Sequence, residues 1–143
     1  MIPSLYSYLA SCPILADRKF HWTTSSENGN ETALAYAISA DQGDEQLVVY
    51  QNGTVLIRSL YRLSSTDNCT PDMAQQLSDT GLFDQLALWM SQENAKRNLP
   101  LLPDGLTPRS IGAVGATYLY SLDNNSGEYQ IQFELEYYRK VVD

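Results

Sequence analysis

The chain has 143 residues, 43% of them hydrophobic, which is one domain's worth, 1–143, and enough to bury a single core. Seventeen acidic against nine basic side chains give a formal net charge of -8. That charge opposes non-specific attraction to nucleic acid or anionic lipid and argues against a basic DNA-binding face. Cys12 and Cys69 lie far apart and lack a CxxC companion, so reduced thiols in a cytosolic protein are expected rather than a metal or redox pair. No apolar run reaches the roughly 18 residues of a membrane-spanning helix. The start "MIPSLYSYLASCPILADRK" is interrupted by serines and tyrosines and lacks the basic opening of a signal peptide. A soluble protein without a membrane partner is expected, and the sequons at Asn30, Asn52, Asn68 and Asn124 read as chance in an Asn/Ser/Thr-rich chain.

Leu5 and Leu9, with Tyr6 and Tyr8, recur at near-helical spacing after Pro3, which predicts a short N-terminal helix ending before Pro13. Phe20, Trp22 and Thr24 alternate with His21 and Thr23, predicting a strand over Lys19 to Thr24 followed by a polar loop. In "TALAYAISA" Leu34, Tyr36 and Ile38 fall on one side of a strand and alanines on the other, with an Ala-rich helix as the competing reading. Asn52-Gly53 sits between two β-rich runs and predicts a two-residue type I′ hairpin turn. That register sets Tyr50 against Val55, Val49 against Leu56 and Val48 against Ile57, leaving Leu47, Val49 and Leu56 together on one face.

Thr70-Pro71-Asp72 predicts a helix start, with a cap, a first-turn proline and an acid. Gly81 interrupts this helical region. Beyond it Phe83, Leu86, Ala87 and Met90, widened by Leu82 and Trp89, predict a second helix that ends by Leu99 before Pro100. "PLLPDGLTPRSIGAVG" reads as a Pro/Gly-rich connection. A second hairpin follows, "ATYLYSL" and "EYQIQFELEYYRK" joined through "DNNSGE". In its last strand Tyr129, Ile131, Phe133, Leu135 and Tyr137 face the core and Glu128, Gln130, Gln132, Glu134 and Glu136 face away.

A catalytic constellation is not visible. His21 is the only histidine, so any Ser-His-Asp, Cys-His or two-histidine metal arrangement would have to be built on it. Glu134 and Glu136 share a strand face and superficially resemble a carboxylate pair, but an ordinary half-exposed strand produces the same pattern. Asp41, Asp44 and Glu45 around Gly43 lack the ligand spacing of an EF-hand, and "GAVGAT" lacks the lysine of a phosphate loop. The ten tyrosines fit core and interface packing better than nucleic-acid stacking at this net charge. No cofactor or metal is expected.

The segment "LFDQLALWMSQENAKRNLPLLPDGLTPRSI" couples a Trp-bearing helix and an Asn near its end to an "LP.LP.G" exit. A strand then leads to "YQIQFELEYY". In this ordering, from about Gly81 to Tyr138, the chain resembles the minor capsid or tail-completion proteins of siphophages and prophages of Gram-positive bacteria, and tail terminators more broadly. The resemblance implies an α+β subunit: an antiparallel sheet with a central hairpin, flanked by an N-terminal helix and a central helical pair. It also implies a homo-oligomeric ring, typically hexameric, that caps the tail tube in the virion and docks to the head connector. DNA would pass the lumen without specific binding. Such a subunit has no catalytic residues and is not an enzyme, and in a prophage host it would be made in the bacterial cytoplasm.

Apolar side chains on both faces of the central hairpin point to Leu47, Val49, Leu56 and Leu60 as candidate subunit-interface residues. A domain that covers both sheet faces with its own helices explains the same pattern. From another class, the competing reading is a cytosolic small-ligand or peptide-binding module with Trp22, Tyr36 and Trp89 lining a pocket. An enzyme centred on His21 is a third.

Overall fold

A computed structural model of the chain describes residues 1–13, 23–25, 31–34, 36–65, 75, 81–121 and 126–140. The architecture is α+β. Helix α1 spans Ile2–Ala10 and α2 spans Leu82–Ala95. Strands β1 (Thr23–Ser25) and β2 (Glu31–Leu34) pair as a small antiparallel ribbon. Strands β3 (Tyr36–Val49), β4 (Val55–Ser65), β5 (Leu106–Ser121) and β6 (Ser126–Arg139) form an antiparallel sheet in the order β3-β4-β6-β5. The described residues of "TALAYAISA" are extended, which decides against the helical reading of that segment. Lys19 to Trp22 lie outside the described residues, as does the helix start at Thr70-Pro71-Asp72, of whose helix Gln75 alone is described.

The core lies on one face of the sheet. Tyr129, Ile131, Phe133, Leu135 and Tyr137 of β6 are all buried, as their alternation requires. They meet Ile57, Tyr61 and Leu63 of β4, Ile111 of β5, Leu5, Tyr8 and Leu9 of α1, and Leu82, Leu86, Trp89 and Met90 of α2. The buried stripe of α2 is rotated from the expected one: Leu82, Leu86, Trp89, Met90 and Glu93 point inward while Phe83 and Ala87 are half-buried. The rotation brings Trp89 against Tyr8, with ring centroids 5.0 Å apart, so the two helices share an aromatic contact. Helix α2 leaves through a Schellman-type end: Arg97 N–H donates to Asn94 O at 3.0 Å and Asn98 N–H to Glu93 O at 2.9 Å. Arg97 takes the left-handed position there, φ 61.

The central hairpin forms, but not with the expected turn. Tyr50 N–H donates to Thr54 O at 2.8 Å and Gly53 N–H to Tyr50 O at 2.9 Å. The loop is therefore three residues, Gln51, Asn52 and Gly53, with Gly53 alone at positive φ, 88°. The Asn52 side chain supplies the reason: its Oδ1 accepts the Thr54 N–H at 3.0 Å, a local bond that competes with the left-handed backbone a type I′ turn demands. The register shifts accordingly, to Val49 against Val55 and Val48 against Leu56, and Leu47 becomes an inserted residue between Gln46 and Val48. Gly53→Ala is expected to cost about 1–2 kcal/mol, because the left-handed backbone penalises a Cβ. Gly43→Ala, in open space on β3, should change stability by less than about 0.5 kcal/mol. Equal losses for the two variants in urea unfolding would contradict this turn.

The Pro/Gly-rich connection is also shorter than expected. Strand β5 begins at Leu106 and includes "LTPRSIGAVG". An edge strand admits this, since Pro108 removes a donor only where the ladder can spare one. Bulges between Pro108 and Ser110 and between Ala113 and Gly115 absorb the irregularity.

Candidate subunit interface

Among the described residues, both helices pack on the core face, and the opposite face of the sheet carries a polar ladder. Its rows follow from the register: Glu45, Arg58 and Glu136 lie side by side, as do Ser39, Arg62 and Gln132. Arg58 Nη2 donates to Glu45 Oε2 at 2.6 Å. Arg109 Nη1 donates to Glu136 Oε2, with Ser110 Oγ 3.5 Å from the same oxygen. Each hydrogen-bonded carboxylate holds its guanidinium more firmly protonated. These pairs are solvent-accessible and contribute register more than stability.

The polar side of the last strand therefore has a defined neighbour on each flank. Glu134 and Glu136 are half-buried by the rows beside them, and Arg109, hidden in the sequence by its place in a supposed connection, is the partner of Glu136. Asp41, Asp44 and Glu45 diverge instead of converging. Gln132 Nε2 donates to Asp41, the Ser59 hydroxyl donates to Asp44, and Arg58 takes Glu45. Ser59 is buried on the core face, 3.4 Å from Tyr137 Oη. Burial raises the Tyr137 and Tyr61 phenols above their ordinary range, so both remain protonated beside Asp44. Among the described residues no group of three or more His, Cys, Asp and Glu is arranged to hold a metal. None of the described helices is long and apolar enough to cross a membrane.

The four expected interface residues do not form one exposed patch. Leu56 is buried, at 6% exposure, and Leu60 and Leu47 are half-buried, while Val49 is 63% exposed. The shifted register separates them, because Val49 sits opposite Val55 rather than Leu56. What the structure exposes is the end of the hairpin, with Val48 and Tyr50, each 42% exposed, on the polar face and Val49 on the opposite face. Tyr50 lies against Tyr138 with ring centroids 6.2 Å apart. An uncharged run from Gln46 to Ile57 marks this surface in the sequence.

Of the residues assigned to a possible ligand pocket, Trp22 lies outside the described residues, as do His21 and Cys69. Trp89 belongs to the core, 9% exposed, and borders a shallow groove with Pro13, Gln85, Leu88 and Gln92. Cys12 is buried in the core. Comparison with protein-family models, curated proteins and solved structures finds no significant match.

Proposed function

We propose that the protein is a non-enzymatic virion component of a phage or prophage, a tail-terminator or head-tail joining subunit that acts by ring closure and shape-specific docking. The observation that carries this reading is the apolar end of the central hairpin: Val48 and Tyr50 on one face and Val49 on the other lie exposed, outside the core that the chain builds for itself. Exposed apolar surface rimmed by polar residues fits contact with another protein, and the polar face of the sheet offers a wall beside it. The likeness of the Gly81 to Tyr138 segment to tail-completion proteins names the kind of neighbour: further copies of the subunit, the tail tube and the head connector. The net charge of -8 agrees with a lumen that lets DNA pass without holding it.

Native mass measurement with negative-stain imaging tests the reading, on the chain alone and with assembled tail tubes of the same phage. Rings, or capped tubes, are expected, and Val49→Glu should abolish them while leaving the monomer folded, since Val49 is exposed. A native chain that remains monomeric both alone and with tubes contradicts the proposal.

A further inference from the structure

Arg58, Arg62 and Arg109 border the polar face of the sheet, and two of them hold a carboxylate: Arg58 Nη2 donates to Glu45 Oε2 at 2.6 Å and Arg109 Nη1 to Glu136 Oε2. Arg62 differs. Its Nη1 stands 3.9 Å from Asp41 Oδ1, beyond hydrogen-bond reach, while the other oxygen of Asp41 accepts from Gln132 Nε2. Its Nη2 reaches Ser39 Oγ only at 3.5 Å, and its Nε is buried without a hydrogen-bond partner. A guanidinium carries five N–H donors and keeps its charge at every biological pH. Arg62 is therefore a cation with unused donors.

Beside Arg62 the sheet face sinks into a hollow of about 170 Å³, lined by Asp41, Arg62, Gln130, Gln132 and residues 115–117 of β5. The concavity follows from the register. Arg62 lies across from Gln132 and Gln132 across from Gly115, so a row that carries a long cation ends on a residue without a side chain. The bulge between Ala113 and Gly115 sets that glycine into the row. A Cβ built on it would meet nothing within 4 Å. At the far side, the irregularity between Ala40 and Gln42 inserts Asp41 into β3. Two opposite charges and two amides thus line one hollow, which has room for about five waters or one molecule of that size.

We propose that this hollow binds a small zwitterion, an α-amino acid with a short side chain, its carboxylate on Arg62 and its ammonium on Asp41. The planar guanidinium fork matches a carboxylate, and a carboxylate is the partner that Arg62 lacks. Asp41, its charge 3.9 Å from the guanidinium, repels a simple anion placed there and attracts a cation joined to it. The net charge of -8 acts in the same direction. A guest with both charges and no net charge escapes that penalty. In an α-amino acid the two charged groups are joined through one carbon, a spacing that suits partners as close as Arg62 and Asp41. The Gln130 and Gln132 amides and the Thr117 hydroxyl supply donors and acceptors around it. The volume lies below the roughly 300 Å³ at which pockets for drug-sized ligands begin, which restricts the guest to a few heavy atoms. The hollow is remote from the hairpin end and stands or falls separately from the ring reading.

Titration of the native chain with glycine and with L-alanine at constant ionic strength tests the proposal, read at the Arg62 Nε–H signal in nitrogen-edited NMR. Both amino acids should shift that signal saturably, with Kd of about 10 mM or tighter. Acetate and methylammonium, each carrying one half of the zwitterion, should bind at least about tenfold more weakly. Gly115→Val fills the hollow: its Cβ has open space and the Gly115 backbone is not left-handed, so the variant should fold and bind glycine at least about tenfold more weakly. Asp41→Asn removes the negative charge and should raise acetate binding to that of glycine or above it. The native titration does not depend on either variant folding. No saturable shift with either amino acid up to about 100 mM would mean that water alone fills the hollow, and overturns the proposal. Acetate as tight as glycine on the native chain, native-like glycine binding by Gly115→Val, or an unchanged preference in Asp41→Asn overturns it as well. A chain that binds glycine in this way yet never forms a ring or caps a tail tube refutes the ring reading alone.

Discussion

Phe133→Ala is expected to destabilise the protein by about 3–5 kcal/mol, the cost of truncating a fully buried aromatic in a core that collapses only partly around the void. Phe133 lies mid-way along β6, a central strand, with Tyr61 of β4 on one flank and Ala113 of β5 on the other. Its ring stacks on that of Tyr61, centroids 5.8 Å apart and planes 24° from parallel, so the variant loses an aromatic pair as well as apolar burial. A domain of this size has about 5–15 kcal/mol of total stability, so the variant should lie near the edge of folding. Gln132→Ala, one residue away on the polar face of the sheet, removes a polar contact near solvent and should cost about 1 kcal/mol or less. Urea unfolding of both variants checks the assignment of faces. A loss for Phe133→Ala below about 1 kcal/mol, or no larger than that of Gln132→Ala, contradicts it.

The contrast between those neighbours was written in the sequence, because a strand's side-chain period of two is dictated by the backbone alone. Tyr129 to Tyr137 alternate without a slip, and the structure buries each of them. Helix α1 was legible for a similar reason, Leu5 and Leu9 being a turn apart behind Pro3. The central hairpin was legible as a hairpin but not in register. Whether Asn52 adopts a left-handed backbone or bonds the Thr54 amide with its side chain is a choice of small energies that its residue type leaves open. That choice moved every pair by one position and scattered Leu47, Val49, Leu56 and Leu60. Strand β5 was hidden by its own composition, since proline and glycine signal a connection unless the strand is known to lie at an edge, and edges are set by topology. Arg109, the partner of Glu136, was hidden with it. The rotation of α2 depends on which face meets Tyr8, a tertiary fact.

Asn94→Ala should cost about 2 kcal/mol, a large loss for a half-buried polar residue near the end of a helix. The amide of Asn94 copies what a neighbouring strand would offer Ile111, one donor and one acceptor, and each such bond contributes about 1 kcal/mol net. Ile111 is buried, its side chain in the core, so its backbone groups have limited access to water once the amide is gone, and an unsatisfied group costs more than a lost bond gains. Asn94→Asp separates the two bonds: the acceptor for Ile111 N–H survives, but an anionic oxygen now faces Ile111 C=O, so its loss should exceed that of a single bond. Asn94→Leu keeps the apolar bulk and loses both bonds, which distinguishes hydrogen bonding from packing. Faster exchange of the Ile111 amide should accompany each loss of stability. Stability within about 0.5 kcal/mol of native, with the Ile111 amide still protected, would show that Asn94 does not guard the Ile111 backbone.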